Sequence, residues 1–252
     1  MFDLTGRVAI VTGGNGGIGF GIARGLSEAG ASLVLVGRNA EKTAWAVSEI
    51  EAVGGRAIGL SGDVQDAASV RRMVREALDA FGRIDILVNN AGIGVGNRPE
   101  DISPDEWASV LNSNLTSVFL CSREVYSSMA KAKRGKIINI GSILSIFGHP
   151  KLAHYAASKG GVVQLTKSLA IAWAKDGIQV NAILPGWIRT DMTAWSQEKT
   201  ARSNALEDRT PMGRWGLPSD LAGTAVYLAS SASDFVTGAC IPVDGGYSSH
   251  SL

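Results

Sequence analysis

The sequence predicts an α/β fold: one doubly wound, seven-stranded parallel sheet with helices on both faces, in a single domain over 1–252. Three observations carry that expectation. Short β-branched runs alternate with longer segments of helical period, as strands joined by crossovers require. The runs are apolar on consecutive residues, the pattern of strands buried on both faces. No repeat, low-complexity tract or linker interrupts the chain, and an α/β fold accommodates this length as one unit.

Each element has its own signal. The run "VAIV" (8–11) leads through a glycine-rich turn into a helical pattern at 17–29. "LVLV" (33–36) precedes a helix at 40–52, and "RAIGLSGDV" (56–64) precedes one at 66–81 that Asp66 is placed to cap. "IDILVNN" (84–90) is followed by a long helix at 105–130 behind Pro104, and "KIINI" (136–140) by one at 152–175. "IQVNAIL" (178–184) opens into the stretch 186–215, which shows neither period. A helix at 218–230, started by Pro218, and the run "ACIPVD" (239–244) close the pattern. The irregular stretch holds Trp187, Met192, Trp195, Pro211, Met212 and Trp215. So long a connection in a compact domain is expected to be functional, a lid over a substrate site.

Composition excludes several classes. Apolar residues make up 45% and the formal charge is +1, so no general field favours nucleic acid or an anionic membrane. Asp3 and the early glycines make the N-terminus read as a strand and not a signal peptide, and no apolar run approaches the ~20 residues of a spanning helix. Cys121 and Cys240 have no Cys or His neighbours at ligand spacing, so neither a disulfide framework nor a metal site is expected, and a cytoplasmic location follows.

Directly after the first strand stands "TGGNGGIG", Thr12 to Gly19. Glycines let a backbone approach a pyrophosphate, and the N–H groups and dipole of a starting helix favour an anion. Gly13, Asn15, Gly17, Ile18 and Gly19 are therefore candidate cofactor contacts in a Rossmann-type site, although the spacing is not G-x-G-x-x-G. At the end of the second strand, where an acid would hold the ribose 2′-hydroxyl of NAD, the chain has Gly37 followed by Arg38. The guanidinium suits a 2′-phosphate, so NADP is favoured and NAD remains possible. Asp63 and Val64 are placed to meet adenine, with Asp63 equally suited to a turn.

Tyr155 and Lys159 lie four residues apart, on one helical face. A nearby ammonium favours the phenolate, which lets a phenol exchange a proton near neutral pH. The glycines Gly160 and Gly161 that follow are expected to permit close packing against a sheet or a second subunit. Ser142, in "NIGSILS" at the end of the fifth strand, and "NNAG" (Asn89 to Gly92), at the end of the fourth, fall on the carboxyl edge where open α/β sheets bind ligands.

With these motifs in order, the chain resembles the short-chain dehydrogenase/reductase family over nearly its whole length: T-G-x-x-x-G-x-G at Thr12, Gly13, Gly17 and Gly19, N-N-A-G at Asn89, Asn90, Ala91 and Gly92, and Y-x-x-x-K at Tyr155 and Lys159. The resemblance implies an NAD(P)-dependent oxidoreductase that interconverts a ketone and a secondary alcohol. In it Ser142 binds the carbonyl, Tyr155 is the acid or base, Lys159 holds the nicotinamide ribose and Tyr155, and Asn114 supports a water relay. It further implies cofactor contacts from Asn90, Ala91, Gly92, Pro185, Gly186, Ile188 and Thr190, a substrate pocket from Leu144, His149, Trp187, Met192 and Trp195, and a homotetramer.

The tail from Gly213 is similar to that of members acting on gluconate-type sugar acids and of 3-oxoacyl-carrier-protein reductases. A sugar acid calls for a cation in the pocket, with Arg189 and Arg202 as candidates, whereas the tryptophans and methionine of the lid favour a bulky apolar ketone. A non-catalytic NADPH-binding sensor is the alternative of a different class.

Overall fold

The computed structural model describes residues 1–196 and 201–249, with the side chains of all of these but 195, 196 and 201–203. Seven strands, β1 (Val8–Thr12), β2 (Ser32–Gly37), β3 (Ala57–Ser61), β4 (Ile86–Asn89), β5 (Gly135–Ile140), β6 (Ile178–Pro185) and β7 (Cys240–Val243), form one sheet. Its order is β3-β2-β1-β4-β5-β6-β7, and every pairing is parallel. The chain runs outward from β1 to β3 and then returns to place β4 beside β1. That reversal opens a crevice at the carboxyl ends of the two strands, where such sheets take ligands.

Helices α1 (Gly17–Glu28), α2 (Ala40–Ala52) and α8 (Ala222–Ala229) cover one face, and α3 (Ala67–Phe81), α5 (Ser117–Ala132) and α6 (Ala153–Trp173) cover the other. Alternate residues of β1 feed the two cores. Ala9 and Val11 pack with Ile22, Leu26, Ile50 and Leu228, while Val8 and Ile10 pack with Val74, Val125 and Met129. This double burial is why the strand sequences are apolar on consecutive residues. Asp66 caps α3 as expected, accepting from the N–H groups of Ala68 and Ser69 at 3.1 and 2.9 Å.

Three elements differ from expectation. The helix expected at 105–130 is α4 (Pro104–Leu111), a π-turn over Asn112–Thr116 and then α5; a π-turn inserts a residue without breaking the polar–apolar pattern that sequence reading follows. The helix expected at 218–230 begins as a 3-10 turn over Pro218–Leu221 before α8. The stretch 186–215 is not structureless: it holds a 3-10 turn at Asp191–Ser196 and α7 (Ala201–Arg209), and its two ends are tied by backbone hydrogen bonds between Arg189 and Gly216 (2.9 Å) and between Gly216 and Trp187 (2.9 Å).

The paired glycines of α6 differ in what they meet within the chain. A Cβ on Gly161 would lie 2.7 Å from Leu115 Cδ2, so within the chain this glycine admits a side chain from the π-turn and not the sheet. Gly160 is less restricted, with Ser145 O nearest at 3.9 Å. Cys121 and Cys240 are unpaired, and among the described residues no helix is long and apolar enough to cross a membrane.

Candidate active site

A groove of about 380 Å³ runs along the carboxyl edge from the end of β2 to the start of α6. Its floor is the turn after β1. Thr12 ties that turn to the next strand, its hydroxyl donating to Val88 O (3.2 Å) and accepting from the N–H groups of Asn90 and Ala91 at 3.0 and 3.1 Å. Asn90 Nδ2 donates in return to the carbonyls of Thr12 and Gly13. Gly13 and Gly17 adopt φ of 63° and 50°, which L side chains rarely do. Gly16, the residue before α1, offers no side-chain cap, so the first N–H groups of α1 face the groove, the arrangement that receives a phosphate.

Gly13, Asn15, Gly17, Ile18, Arg38, Asp63, Val64, Asn90, Ala91, Gly92, Pro185, Gly186, Ile188 and Thr190 all line this groove. Gly19 does not. It lies behind the turn, where a Cβ would strike Gly13 O and Asn90 Nδ2, so its absence of a side chain serves packing and not direct contact. Asp63 serves the turn as well, accepting from Gln65 N at 2.9 Å. Gly37 has a positive reason for being glycine: the amide of Asn15, held by Thr43 Oγ1 at 3.0 Å, occupies the space its Cβ would need. A side chain at that position would have to displace the Asn15 amide, and Arg38 beside it lines the groove.

At the far end Ser142, Tyr155 and Lys159 converge. Lys159 is 5% exposed and donates to Ile140 O at 2.8 Å, with its Nζ 5.7 Å from the centre of the Tyr155 ring. Burial lowers the ammonium to about 8. It also raises the Tyr155 phenol above its ordinary value, against the opposing pull of a hydrogen bond with Ser142. Burial is thus the larger influence on the phenol in the protein alone.

Asn114 is fully buried in the π-turn. Its amide accepts from Ile93 N (2.8 Å) and donates to Ile93 O (2.9 Å) and Ser158 Oγ (3.2 Å). It therefore pins the loop after β4 to α6. A Cβ on Gly92 would lie 3.0 Å from Asn114 Oδ1 and 3.8 Å from Lys159 Nζ, so only glycine leaves the space between them open.

A second cavity of about 650 Å³ opens beside Ser142 and Tyr155. Leu144, His149, Trp187 and Met192 line it; the side chain of Trp195 lies outside the described residues. Arg189 lines neither cavity and approaches Glu207 at 3.7 Å on the surface, while the side chain of Arg202 also lies outside the described residues. Among the described residues Lys151 is the basic residue in the wall.

The geometry has counterparts of known activity. A family profile described as enoyl-(acyl carrier protein) reductase matches residues 13–248. The chain is 44% identical over 247 residues to 2-dehydro-3-deoxy-D-gluconate 5-dehydrogenase of Dickeya dadantii, covering 98% of this chain and 97% of the relative. The chain belongs to the short-chain dehydrogenase/reductase family. A solved gluconate 5-dehydrogenase from Burkholderia cenocepacia, in complex with NADP and tartrate, superposes with a TM-score of 0.95 at 43% identity over 99% of this chain and 98% of that one. A 3-oxoacyl-[acyl-carrier-protein] reductase of Synechocystis is 40% identical, with 98% of each covered.

Within this short-chain dehydrogenase, sequence reading missed the loop Gly94–Gly96, Lys151, Leu152 and Thr193 in the second cavity and Gly16, Lys42 and Asp191 in the groove. Lys42 Nζ meets Asp191 Oδ2 at 2.9 Å and joins the first turn of α2 to the segment after β6. Nothing in the sequence joins residues so far apart, although Asn39 as the cap of α2 directs the Lys42 backbone into the first turn (2.9 Å) and so towards the groove.

Proposed function

We propose that this short-chain dehydrogenase is an NADP-dependent oxidoreductase that interconverts a ketone and a secondary alcohol, with Tyr155 as acid and base. The observation that carries the reading is the meeting of Ser142, Tyr155 and buried Lys159 at the junction of the two cavities. Gly13, Asn15, Gly17 and Ile18 would hold the pyrophosphate end, with Arg38 at the ribose 2′-phosphate. Pro185, Gly186, Ile188 and Thr190 would border the nicotinamide. When bound, that group supplies the hydride chemistry that protein side chains lack.

The chain's own residues do the rest. Ser142 orients the carbonyl oxygen. In reduction Tyr155 Oη–H donates its proton to that oxygen, and in oxidation the phenolate takes the alcohol proton back. Lys159 favours the phenolate when it forms and would hold the ribose. Asn114 keeps the space beside Gly92 through which a water relay would reach Lys159.

The substrate we propose is a keto or hydroxy acid of the gluconate type, the class named in the Dickeya and Burkholderia relatives, with Lys151 facing its carboxylate. A 3-oxoacyl thioester is the second reading, favoured by the apolar walls from Val95, Leu144, Leu152, Trp187 and Met192. Exposed Trp107, Phe119 and Ile171 support assembly as a homotetramer, and the unpaired cysteines fit a cytoplasmic location. Steady-state assays with NADPH and NADH test the assignment: Arg38→Asp is expected to reverse a preference for NADPH, and Lys151→Met to raise KM for keto acids on the order of tenfold while leaving neutral ketones unchanged. Equal loss on both substrates contradicts the carboxylate role.

A further inference from the structure

Three polar residues outside the reacting group form a closed set beside Tyr155. His154 is fully buried in the first turn of α6. Its Nδ1 accepts the backbone N–H of Tyr155 at 3.0 Å. That N–H is one of the donors every helix start leaves without an intrahelical partner, and Leu152, at the capping position, has no side-chain oxygen to offer. His154 thus does from inside the helix what a capping serine or aspartate does from its edge. Because Nδ1 accepts, the ring proton sits on Nε2, which donates to Glu106 Oε1 at 3.0 Å.

Glu106 stands three residues after Ser103, the spacing of a capping box. Ser103 Oγ accepts from Glu106 N at 3.1 Å, but the carboxylate does not return to Ser103. It accepts from His154 Nε2 and, with both oxygens, from Asn97 Nδ2 at 3.1 and 2.9 Å. Asn97 also donates its backbone N–H to Lys151 O at 2.9 Å. One carboxylate therefore holds the loop that forms one wall of the substrate cavity and, through His154, the turn that carries Tyr155.

We propose that Glu106 is a positioning residue, which through His154 and Asn97 fixes Tyr155 relative to the loop that confines the substrate. The proposal rests on the reading of Tyr155 as the acid and base. Its role is separable from mere stability because the hydrogen-bond polarity can be exchanged. In Glu106→Gln the new amide N–H₂ faces Asn97 Nδ2, donor against donor. In Asn97→Asp two carboxylates face each other. In the double variant the amide of residue 106 donates to the carboxylate of residue 97 and still accepts from His154.

The experiment compares kcat and KM for a keto acid, NADPH affinity by fluorescence titration, and hydrogen exchange at the Tyr155 amide. Each single variant is expected to lower kcat/KM on the order of tenfold, with NADPH affinity unchanged, and the double variant to recover most of the loss. His154→Phe, which keeps the bulk and removes both bonds, is expected to speed exchange at the Tyr155 amide on the order of tenfold. Single variants with unaltered kcat/KM, or a double variant whose loss is the product of the two, overturn the positioning role. If the unsubstituted enzyme reduces no carbonyl compound, the oxidoreductase reading fails by itself, the positioning role falls with it, and exchange at Tyr155 still decides whether His154 caps the helix.

Discussion

Tyr155 and Lys159 share a buried site in which each resists its charge, the phenol raised and the ammonium lowered to about 8 from 10.5. For Lys159 this links folding to pH. Below about 8 the group is protonated in both states, and the desolvation cost is carried in full. Between about 8 and 10.5 the unfolded chain binds a proton that the folded one does not, so stability rises with pH. Lys159→Met is therefore expected to be more stable than the parent at pH 7, by up to about 3 kcal/mol less the loss of the bond to Ile140 O, with the gain fading towards pH 10.5. Urea unfolding at both ends of that range measures it, and a gain that does not change with pH contradicts the buried charge. The motif residues were legible in the sequence because chemistry limits which side chains can stand there. The burial that raises the Tyr155 phenol was not, since it comes from residues of several elements. Glu106 and His154 were equally hidden, because a histidine beside a tyrosine and a glutamate three residues after a serine each have ordinary helical explanations.

At the scale of elements, glycines divide into those that admit a neighbour and those that do not. A Cβ on Gly21 of α1 would lie 2.5 to 2.6 Å from Pro218, two of the three atoms being its backbone, which cannot rotate away. Gly21→Ala is expected to destabilise by about 1–3 kcal/mol in spite of better helix propensity. Gly160→Ala, with nothing nearer than 3.9 Å, is expected to stabilise by up to about 1 kcal/mol. Denaturant midpoints of the two variants give the comparison, and the same sign for both would contradict the packing described. Most strands and helices were legible, since two apolar faces produce consecutive apolar residues and Asp66, Pro104 and Pro218 mark helix starts. The π-turn at Asn112–Thr116 was not, because its position is set by Asn114 bonding Ile93 and Ser158 across space. The partner of Gly161 was hidden for the same reason: Leu115 reaches it only because of that turn.

At the scale of the whole molecule, strand order creates the site. The return from β3 to β4 opens the groove beside β1, and the segment following β6 adds Trp187 and Met192 to the cavity that meets it at Tyr155. Each part came from a separate stretch of sequence, and only the sheet brings them to one edge. In the proposed function this edge transfers a hydride between NADP and a carbonyl carbon, with Tyr155 moving the proton. The most direct test follows NADPH absorbance with a panel of keto sugar acids, 3-oxoacyl thioesters and neutral ketones, for the unsubstituted protein and for Tyr155→Phe. The predicted result is NADPH consumption by the parent and a loss of at least about a hundredfold in the variant, which still binds NADPH. Full activity in Tyr155→Phe, or NADPH bound by both proteins and consumed by neither, would contradict it.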